Sequence, residues 1–570
     1  MNKPSPAIVS QDAVRRLPRW ALLLLCAAYV VPGYVGREPW KNADIASFGY
    51  MLSLLDAGHW REWLRPTMMG MVPESSALLP YWLGAWAMQV LAPLGVAPDL
   101  AARVPYALML AGTLAATWYA VYHLARDPSA QPVAFAFGGE AEPLDYARAL
   151  ADGSLLALIA TLGLAQFSHE TTPALAQLFF GTLVFYGLAA LPTRAVGASL
   201  GLWLGLLGLT LSGAPATALI YAVLSLVAAA LPGSALHLHA PARQRALLVL
   251  MAAIAACLAL SLGLDLFRWQ LAPWRTRWVE WRSLGQLFLW FTWPAWPLAL
   301  WTLWRWRRQL RTLRQQRHLG LPLVIASVPV MSTVTTLAGD RALLLALPAL
   351  AALAALALPT FRRSASALID WFTLLFFSGW AIVIWVVWVA METGVPAKPA
   401  ANVARLAPGF EPVFQWPAFI AAVIATLAWI ALARWRTGRH RTALWKSLVL
   451  PAAGATLCWL LLMTLWLPAL DYGRSFAPQM REVRQLIGDA PCVEVHGLGP
   501  PQVAAIRFHG RWTPTPARGP VQCPWLVVDV DAQASLPATV NLTHWRLEAR
   551  VRRPTDDNES LMVFRRVVTP

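Results

Sequence analysis

The side chains best suited to acid–base chemistry lie in a loop at residues 37–77, which follows the first apolar segment. Glu38 and Asp44 stand at its start with Lys41 between them, and Glu74 stands near its end. A carboxylate in such a place can take the proton from an acceptor hydroxyl, and a second one can bind a metal ion or orient a substrate. A simpler interpretation makes Asp44 the N-terminal cap of a surface helix. The helical spacing of nearby apolar residues, taken alone, favours the simpler interpretation.

Polar side chains also stand at the ends of later apolar segments. His169 and Glu170 lie in a short loop, where an acid and an imidazole are either solvated at the interface or line a polar cavity. Arg341 follows an Asp, and the pair is either purely structural or presents Arg341 to an anionic ligand such as a phosphate. Arg275 belongs to a loop at 265–283 that mixes Arg and Trp. That composition suits lipid headgroups, as a plain anchor or as a binding site.

Motifs for soluble nucleotide-driven chemistry are absent from the sequence. The chain has no Walker loop, no dinucleotide fingerprint and no Cys/His metal motif. No nucleotide cofactor is therefore expected, and the energy for any reaction at these loops would have to arrive with the substrate.

The composition indicates that a membrane positions these side chains. Of the 570 residues, 58% are hydrophobic and 13% are charged, whereas a soluble domain carries about 25% charged residues. The net charge of +17 comes from short Arg clusters between apolar segments, which is typical of cytoplasmic loops. A nucleic-acid partner would need a basic stripe on one face instead, so none is expected. The predicted fold class is a mainly α, polytopic membrane protein surrounded by membrane lipids.

Thirteen apolar segments are long enough, or nearly so, to cross a bilayer as helices, since a span needs about 20 residues. Treating a further segment at 78–94 as an interfacial helix places the N-terminus and the Arg-rich loops in the cytoplasm. The first span lacks a clear cleavage site, which favours an uncleaved anchor over a signal peptide. The predicted spans are 20–36, 101–124, 151–167, 174–191, 197–212, 215–231, 246–264, 284–304, 320–338, 342–359, 367–390, 417–433 and 447–468.

The composition changes from about residue 470, where apolar runs shorten and charged residues and prolines increase. We therefore divide the chain into a membrane domain at 1–469 and a small α/β domain at 470–570, which the topology places outside the cytoplasm. Cys492 and Cys523 are its only cysteines, and an oxidising compartment favours a disulfide between them. The predicted elements are a helix at 476–488 and strands at 492–495, 525–530, 547–551 and 561–567, the last two joined by a turn at 556–558.

Short motifs follow one another from the first outer loop into the next span. They read Glu38-Pro39-Trp40-Lys41-Asn42-Ala43-Asp44, Gly58-His59-Trp60, Glu74-Ser75-Ser76, Pro80-Tyr81-Trp82-Leu83 and Ala101-Ala102-Arg103-Val104-Pro105. In order and spacing this series resembles the lipid-dependent membrane glycosyltransferases of the C-type fold. Family 39 is the most similar, with the protein O-mannosyltransferases and the transferase that puts aminoarabinose on lipid A. The series departs from the family where Glu38 replaces an Asp and Pro39 replaces a Glu, and the loop at 265–283 lacks a His.

The resemblance implies transfer of a hexosyl or pentosyl sugar from a polyprenyl-phosphate donor to an acceptor hydroxyl or phosphate. The acceptor would be a lipid, glycan or protein at the outer face of a bacterial inner membrane, with the C-terminal domain in the periplasm. Glu38 is the implied general base, and Asp44 is the reserve candidate. Glu74 and Glu170 are the candidates to bind a divalent metal or to orient the substrate. The candidates for substrate binding are Lys41, His169, Arg275 and Arg341, with Arg341 at the carrier phosphate.

Two other classes of function stay open from the sequence. A transporter or flippase of a lipid-linked envelope precursor explains the many spans, but not the long acidic first loop or the outer domain. A noncatalytic assembly or sensor protein leaves the loop acids unexplained. An enzyme should gather Glu38, Asp44, Glu74 and Glu170 in one outward-facing cavity, whereas a transporter should place polar residues near the bilayer midplane.

Overall fold

The structure, a computed structural model, describes residues 5–231, 240–268, 271–337, 339–437, 443–518 and 522–567. Helices make up most of these ranges, and strands occur in the C-terminal part. The helices of the membrane part are α1 (Arg19–Val30), α2 (Ala43–Leu55), α3 (Trp60–Leu64), α4 (Leu79–Leu91), α5 (Pro98–Ala125), α6 (Pro143–Ala160), α7 (Leu162–Phe167), α8 (Pro173–Ala190), α9 (Ala195–Leu211), α10 (Pro215–Ala230), α11 (Ala240–Gly263), α12 (Trp278–Phe291), α13 (Ala295–Arg305), α14 (Arg307–Leu310), α15 (Arg317–Thr335), α16 (Gly339–Leu344), α17 (Leu347–Ala355), α18 (Arg363–Thr393), α19 (Ala397–Leu406), α20 (Trp416–Thr437) and α21 (Val449–Leu462).

Each predicted span coincides with a helix or with two successive helices. Within the described ranges, eight helical segments are long and apolar enough to cross a membrane: α5, α8, α11, α15, α16 with α17, α18, α20 and α21. The other predicted spans fall on helices that are shorter or interrupted, namely α1, α6 with α7, α9, α10 and α12 with α13. The protein is therefore a mainly α-helical, polytopic membrane protein.

The ambiguous segment at 78–94 contains α4, a helix of 13 residues. At 1.5 Å per residue such a helix is about 20 Å long, which is less than the hydrocarbon core of about 30 Å. Its first turn is tied down, because Leu78 N–H donates to Leu211 O at 2.8 Å and Tyr106 Oη donates to Pro80 O at 3.0 Å. These dimensions agree with an interfacial helix.

Glycines let α8 and α9 pack closely. This packing holds α8, the helix whose first turn lies at the outer loops. A Cβ on Gly205 would lie 2.8 Å from Phe180 O, and one on Gly187 would lie 2.9 Å from Ala198 O. Close backbone approach of this kind is a common way for helices to associate in lipid, where apolar burial gives little driving force.

The C-terminal part forms a mixed sheet beside four helices. The elements are α22 (Leu467–Arg474), α23 (Ala477–Ile487), β1 (Cys492–His496), α24 (Pro500–Ala505), β2 (Thr513–Pro516), β3 (Trp525–Asp529), α25 (Leu536–Thr539), β4 (Trp545–Arg553) and β5 (Asp556–Arg566). The strand order is β2-β1-β3-β5-β4. β1 pairs in parallel with β2 and β3, and β5 pairs antiparallel with β3 and β4. The small α/β domain is therefore present.

Two details of this sheet differ from the sequence expectation. The turn between the last two strands lies at 554–555 rather than 556–558, because Pro554 has no N–H for the ladder and β5 already begins at Asp556. Strand β2 was not predicted. The predicted disulfide is confirmed, since Cys492 and Cys523 are bonded with their Cα atoms 5.6 Å apart.

The C-terminal domain packs directly on the first outer loop. Phe508 meets Phe48 of α2 edge-on, with ring centroids 4.9 Å apart, and Arg507 donates to Leu52 O at 3.0 Å. One buried cluster contains Val493 of β1 together with residues of the membrane helices. The domain boundary at 469 stays a prediction, and it falls inside α22.

Candidate active-site cavity

A cavity of about 770 Å³ lies where the outer loops meet the C-terminal domain. Its walls are the N-terminal turns of α2, α8 and α10, the end of the first outer loop at 74–75, the segment that contains Arg268, the C-terminal half of α15, the start of α16, and the Pro500-Pro501 pair that opens α24. Most of these walls lie at the ends of predicted spans, but the lining of α15 extends from Thr335 back to Ser327, halfway along that helix. The cavity therefore starts at the membrane boundary and reaches in between the helices.

Two arginines give the cavity its cationic side. Arg268 and Arg341 both line it, and Arg268 Nη1 donates to Pro73 O at 3.2 Å. Arg341 lies beside Glu170, with 3.6 Å between Nη2 and Oε2, and its buried Nε has no hydrogen-bond partner among the described residues. Guanidinium groups of this kind suit a planar or tetrahedral oxyanion such as a phosphate.

Glu74 is the predicted carboxylate that lines the cavity, next to several hydroxyl groups. Burial together with the charge of Glu74 raises the pKa of Tyr50 to about 12. The Tyr50 hydroxyl and Thr172 Oγ1 are buried without a hydrogen-bond partner in the described part of the chain. Buried polar atoms normally have partners, so these hydroxyls point to a polar ligand in the cavity.

Glu170 lies behind Arg341 and is buried. Its Oε1 accepts from Gln166 Nε2 at 3.4 Å. Burial, reinforced by the charge of Asp44, raises the pKa of Glu170 to about 7 despite the attraction of Arg341. At 3.6 Å the Arg341 contact is too long to offset burial. Glu170 therefore sits at the boundary between the neutral and charged forms near neutral pH. The sequence left it either solvated at the interface or lining a polar cavity; in the structure it is buried and is not among the described residues that line the cavity.

Asp44 is 2% exposed and each of its carboxylate oxygens has two donors. Oδ1 accepts from the N–H and the hydroxyl of Thr171, both at 2.7 Å. Oδ2 accepts from Arg37 Nη2 at 2.8 Å and from Trp40 N–H at 3.1 Å. Burial alone would raise the pKa of Asp44. The charges of Arg37 and Arg103 and the hydrogen bonds from Thr171 outweigh burial, so this pKa lies below its ordinary value. Asp44 joins the first outer loop to the second.

His169 is fully buried and faces backbone, not the cavity. Its Nδ1 lies 2.5 Å from Ala165 O and its Nε2 lies 3.1 Å from Tyr29 O. The ring packs against Trp459 at 4.6 Å, and a Cβ on Gly33 would come within 2.1 Å of it. Burial lowers the pKa of His169 to about 4. Its role in substrate binding stays a prediction, which these packing contacts do not favour.

Glu38 lies on the other side of the loop, against the C-terminal part. Its side chain is 41% exposed, and Oε2 is 3.9 Å from His509 Nδ1. Its backbone N–H donates to Asp471 Oδ2 at 3.2 Å, and Asp471 Oδ1 also accepts from Trp40 Nε1 at 2.7 Å. Burial, followed by the charge of Asp99, raises the pKa of Glu38. Glu38 is thus separate from the cavity that Glu74 lines.

The two remaining predicted residues also lie outside this cavity. Lys41 Nζ is 3.3 Å from Asp556 Oδ2 and 3.4 Å from Glu559 Oε1, and it lines a second cleft. Arg275 donates to the carbonyl of Val334, at the end of α15.

The described residues contain no group of three or more His, Cys, Asp or Glu side chains that could hold a metal ion. Glu170 Oε1 accepts from Gln166, and Oε2, which has no hydrogen-bond partner among the described residues, lies 3.6 Å from Arg341 Nη2. The charge of Arg341 opposes binding of a metal cation at that oxygen. We therefore derive no chemical step through a metal.

Sequence reasoning missed three side chains that organise the site. Arg37 adjoins the predicted loop motif and is almost fully buried, and Arg268 was considered only as part of a lipid-facing loop. Asp471 follows the last span, so no local pattern connects it with Glu38. An acid immediately after a span was the one available signal.

Comparison with solved structures identifies the architecture. The crystal structure of ArnT from Cupriavidus metallidurans bound to undecaprenyl phosphate superimposes with a TM-score of 0.56 and 14% identity, over 96% of this chain and 98% of that one. The apo structure of the same protein gives a TM-score of 0.54 at 15% identity, over 96% and 97%. The chain has the ArnT fold. This is the C-type fold that the motif series implied.

No family model matches the sequence, and no curated protein matches it. The similarity to ArnT thus lies in the arrangement of helices along nearly the whole chain and not in its residues.

Proposed function

We propose that the protein transfers a sugar from a polyprenyl-phosphate donor to an acceptor at the outer face of a bacterial inner membrane. The cavity carries this proposal, because it joins Arg268 and Arg341 with Glu74 at the membrane boundary. The ArnT structure with the same fold contains undecaprenyl phosphate. A glycosyl phosphate is already activated, so the reaction needs no nucleotide.

The two arginines would hold the phosphate of the carrier. As the bond from the sugar to the phosphate breaks, negative charge grows on the phosphate oxygens, and nearby guanidinium groups stabilise it. The buried Nε–H of Arg341 has no acceptor among the described residues, and a phosphate oxygen could accept a hydrogen bond from it. Glu170 would act through Arg341 by holding its guanidinium in place.

Glu74 is our candidate for the general base. It lines the cavity, and a carboxylate there could take the proton from an acceptor hydroxyl as the new bond forms. Glu38 as the base stays a prediction, and its place beside His509 makes Glu74 the stronger candidate. If the acceptor is a phosphate, it is already ionised and a base is unnecessary.

A transporter of the lipid-linked precursor is the alternative. Such a protein is expected to hold its substrate near the bilayer midplane, at breaks in the helices. Here the lining arginines and Glu74 stand at helix ends and in outer loops, which favours an enzyme working at the surface. The expected gathering of four carboxylates in one cavity is wrong, because Glu38, Asp44 and Glu170 are not among the described residues that line it.

The test uses the full-length protein in nanodiscs, a panel of undecaprenyl-phosphate sugars, and an extract of envelope lipids, glycans and proteins. We expect wild type to release undecaprenyl phosphate and label one class of acceptor. Glu74→Gln should lower the rate by about 10²- to 10⁴-fold, the usual contribution of a general base. The matched control is Glu142→Gln, an exposed acid outside the cavity.

Other outcomes would change the assignment. Loss of transfer in Glu38→Gln with normal turnover in Glu74→Gln would return the base to Glu38. Normal turnover in both variants would place the catalytic centre elsewhere. Movement of a donor across vesicles without transfer to any acceptor would replace the enzyme with a transporter.

A further inference from the structure

A second cleft, of about 510 Å³, lies between the ends of α18 and α22, the helix α19 and the β4–β5 hairpin. It is separate from the cavity described above, since the two share no lining residue. One side of the cleft is apolar and is formed by Val387, Met391, Val403, Leu406, Trp466 and Leu470.

The other side of the cleft is cationic. Lys41, Arg474 and Arg553 line it, and none of the described lining residues is a carboxylate. Arg553 is 2% exposed, and its buried Nε has no hydrogen-bond partner among the described residues. Arg474 lies over the Trp40 ring at 5.0 Å and has no carboxylate within salt-bridge distance in the described part of the chain.

The carboxylates nearby do not balance these charges. Asp556 and Glu559 lie 3.3 and 3.4 Å from Lys41 Nζ, and Glu559 also accepts from Arg553 Nη1. Among the described side chains, Lys41 and Arg553 share these two carboxylates, which stand outside the lining, while Arg474 interacts with the charge of Glu170 without a salt bridge to it. The described lining of the cleft is thus positively charged on the wall opposite its apolar wall.

The cleft opens at the membrane boundary. The part of α18 that lines it is the end of a membrane helix, and α22 begins the segment that follows the last span. The neighbouring chain exposes Val395, Phe414 and Trp416, as an interfacial aromatic and apolar belt does. The charged wall faces the C-terminal domain, so an amphiphile in the bilayer could enter with its chains against α18 and α19.

We propose that this cleft binds an anionic phospholipid of the outer leaflet, with its phosphate at Lys41, Arg474 and Arg553. The apolar wall takes the first part of the acyl chains, and the three cations hold the headgroup. A zwitterionic lipid of the same chains would bring a second positive charge toward these residues and bind less well. Binding of this lipid does not depend on sugar transfer.

The experiment uses the full-length protein in detergent with photoactivatable phosphatidylglycerol, and phosphatidylcholine with identical chains for comparison. Cross-linked peptides are mapped by mass spectrometry. We expect phosphatidylglycerol to label 387–407 and 466–474 and phosphatidylcholine to label them weakly. Arg474→Gln should reduce the labelling about fivefold, the effect of one basic residue on attraction to anionic lipid. Ala469→Trp, which fills the apolar part of the cleft, should reduce it as strongly.

Arg405→Gln is the matched control, because it removes the same charge from the exposed surface of α19 and does not line the cleft. Equal labelling by the two lipids, or equal loss in Arg405→Gln and Arg474→Gln, would overturn the proposal. So would unchanged labelling in both cleft variants. In wild type, inorganic phosphate that displaces the lipid at an equal concentration and constant ionic strength would show that the chains add nothing to binding, which would also overturn it. That competition needs no variant to fold.

Discussion

At the scale of single residues, the outer loops contain carboxylates in contrasting surroundings. The carboxylate oxygens of Asp44 accept hydrogen bonds from Thr171, Arg37 and Trp40, and the pKa of Asp44 lies below its ordinary value. Glu74 lines an open cavity. A general base needs a lone pair directed at the substrate, and Asp44 has none to offer. Asp44 is therefore an anchor between loops.

Asp44→Asn should destabilise the protein. An amide would turn its NH₂ toward donors whichever way it is flipped, and buried Arg37 would lose its countercharge. Breaking a buried pair in this way costs about 3–5 kcal/mol. The free energy of unfolding is measured by denaturant titration in micelles. Asp489→Asn is the control, because that exposed acid should tolerate the change. Native stability with complete loss of transfer would instead make Asp44 the catalytic base.

Glu170 should make stability fall as pH rises from about 4.5 to 7. In this window the unfolded carboxyl has lost its proton, while the folded one, with its pKa near 7, keeps it. The folded state binds more protons there, so raising the pH favours unfolding, by about 3 kcal/mol over the window. Unfolding free energies of wild type and Glu170→Gln at several pH values give the difference curve. Glu482→Gln, an exposed acid, should leave the slope as it is. Parallel curves for wild type and Glu170→Gln would refute this pKa.

The sequence predicted the site unevenly, and the reason is physical. Glu74 and Arg341 line the cavity because a polar residue beside a span stays at the boundary, and their roles there stay predictions. His169 has the same local signature but turns into the core, where Tyr29 and Trp459 surround it. Which way a loop residue points depends on partners far along the chain, and no local pattern contains them.

At the scale of elements, apolar length and proline content decided what could be predicted. Helices occur at all thirteen predicted spans, and eight of these segments in the described ranges are long and apolar enough to cross a bilayer, because a bilayer demands long apolar helices. Strand β2 was missed because Pro514 and Pro516 remove two ladder donors. It survives as the edge strand of the sheet, where one side of the ladder is not needed. A proline-rich strand can be recognised only when its single neighbour, here β1, is known.

The disulfide between β1 and the segment before β3 should stabilise the C-terminal domain. It closes a loop with a sequence separation of 31, for which the chain-entropy model gives about 3–4 kcal/mol. We expect the double variant Cys492→Ala/Cys523→Ala to lose that much unfolding free energy, seen as faster proteolysis of this domain. Cys458→Ala, which removes a free thiol from α21, is the control. Labelling of Cys492 by maleimide without reductant would contradict the bond.

At the scale of the whole molecule, loops distant in sequence gather on two faces. One face joins the N-terminal segment, the loop near 140 and the segment before α21. The other joins the first and second outer loops, α16 and the start of the C-terminal domain. The contacts on the first face are Gln11 N–H to Gly139 O at 3.0 Å, Trp445 Nε1 to Arg15 O at 2.7 Å, and Ser129 Oγ with His318 Nδ1 at 3.1 Å.

An odd number of spans requires this division of the loops between two faces. The N-terminus and the C-terminal domain must then lie on opposite sides, and alternate loops must share a side. The first face contains Arg-rich loops such as the one at 305–319. The second face contains the candidate carboxylates Glu38, Asp44, Glu74 and Glu170 and both cavities. The structure separates the faces, and the positive-inside rule predicts that the first is cytoplasmic.

Reporter fusions after residues 140, 315 and 480 should therefore report inside, inside and outside. A fusion after 440, which lies outside the described residues, is also expected inside. The first two positions stand on the Arg-rich face and the third follows α22, beyond the last span. The position at 315 is decisive, because it depends on α4 lying in the interface: if α4 crossed the bilayer, every later loop would change sides. Paired fusions that report both activities, such as a phosphatase active only outside and a fluorescent protein active only inside, give each site an internal control. An outside result at 315 with an inside result at 480 would contradict this topology, since it requires either that α4 spans the membrane in spite of its 13 residues or that the N-terminus lies outside.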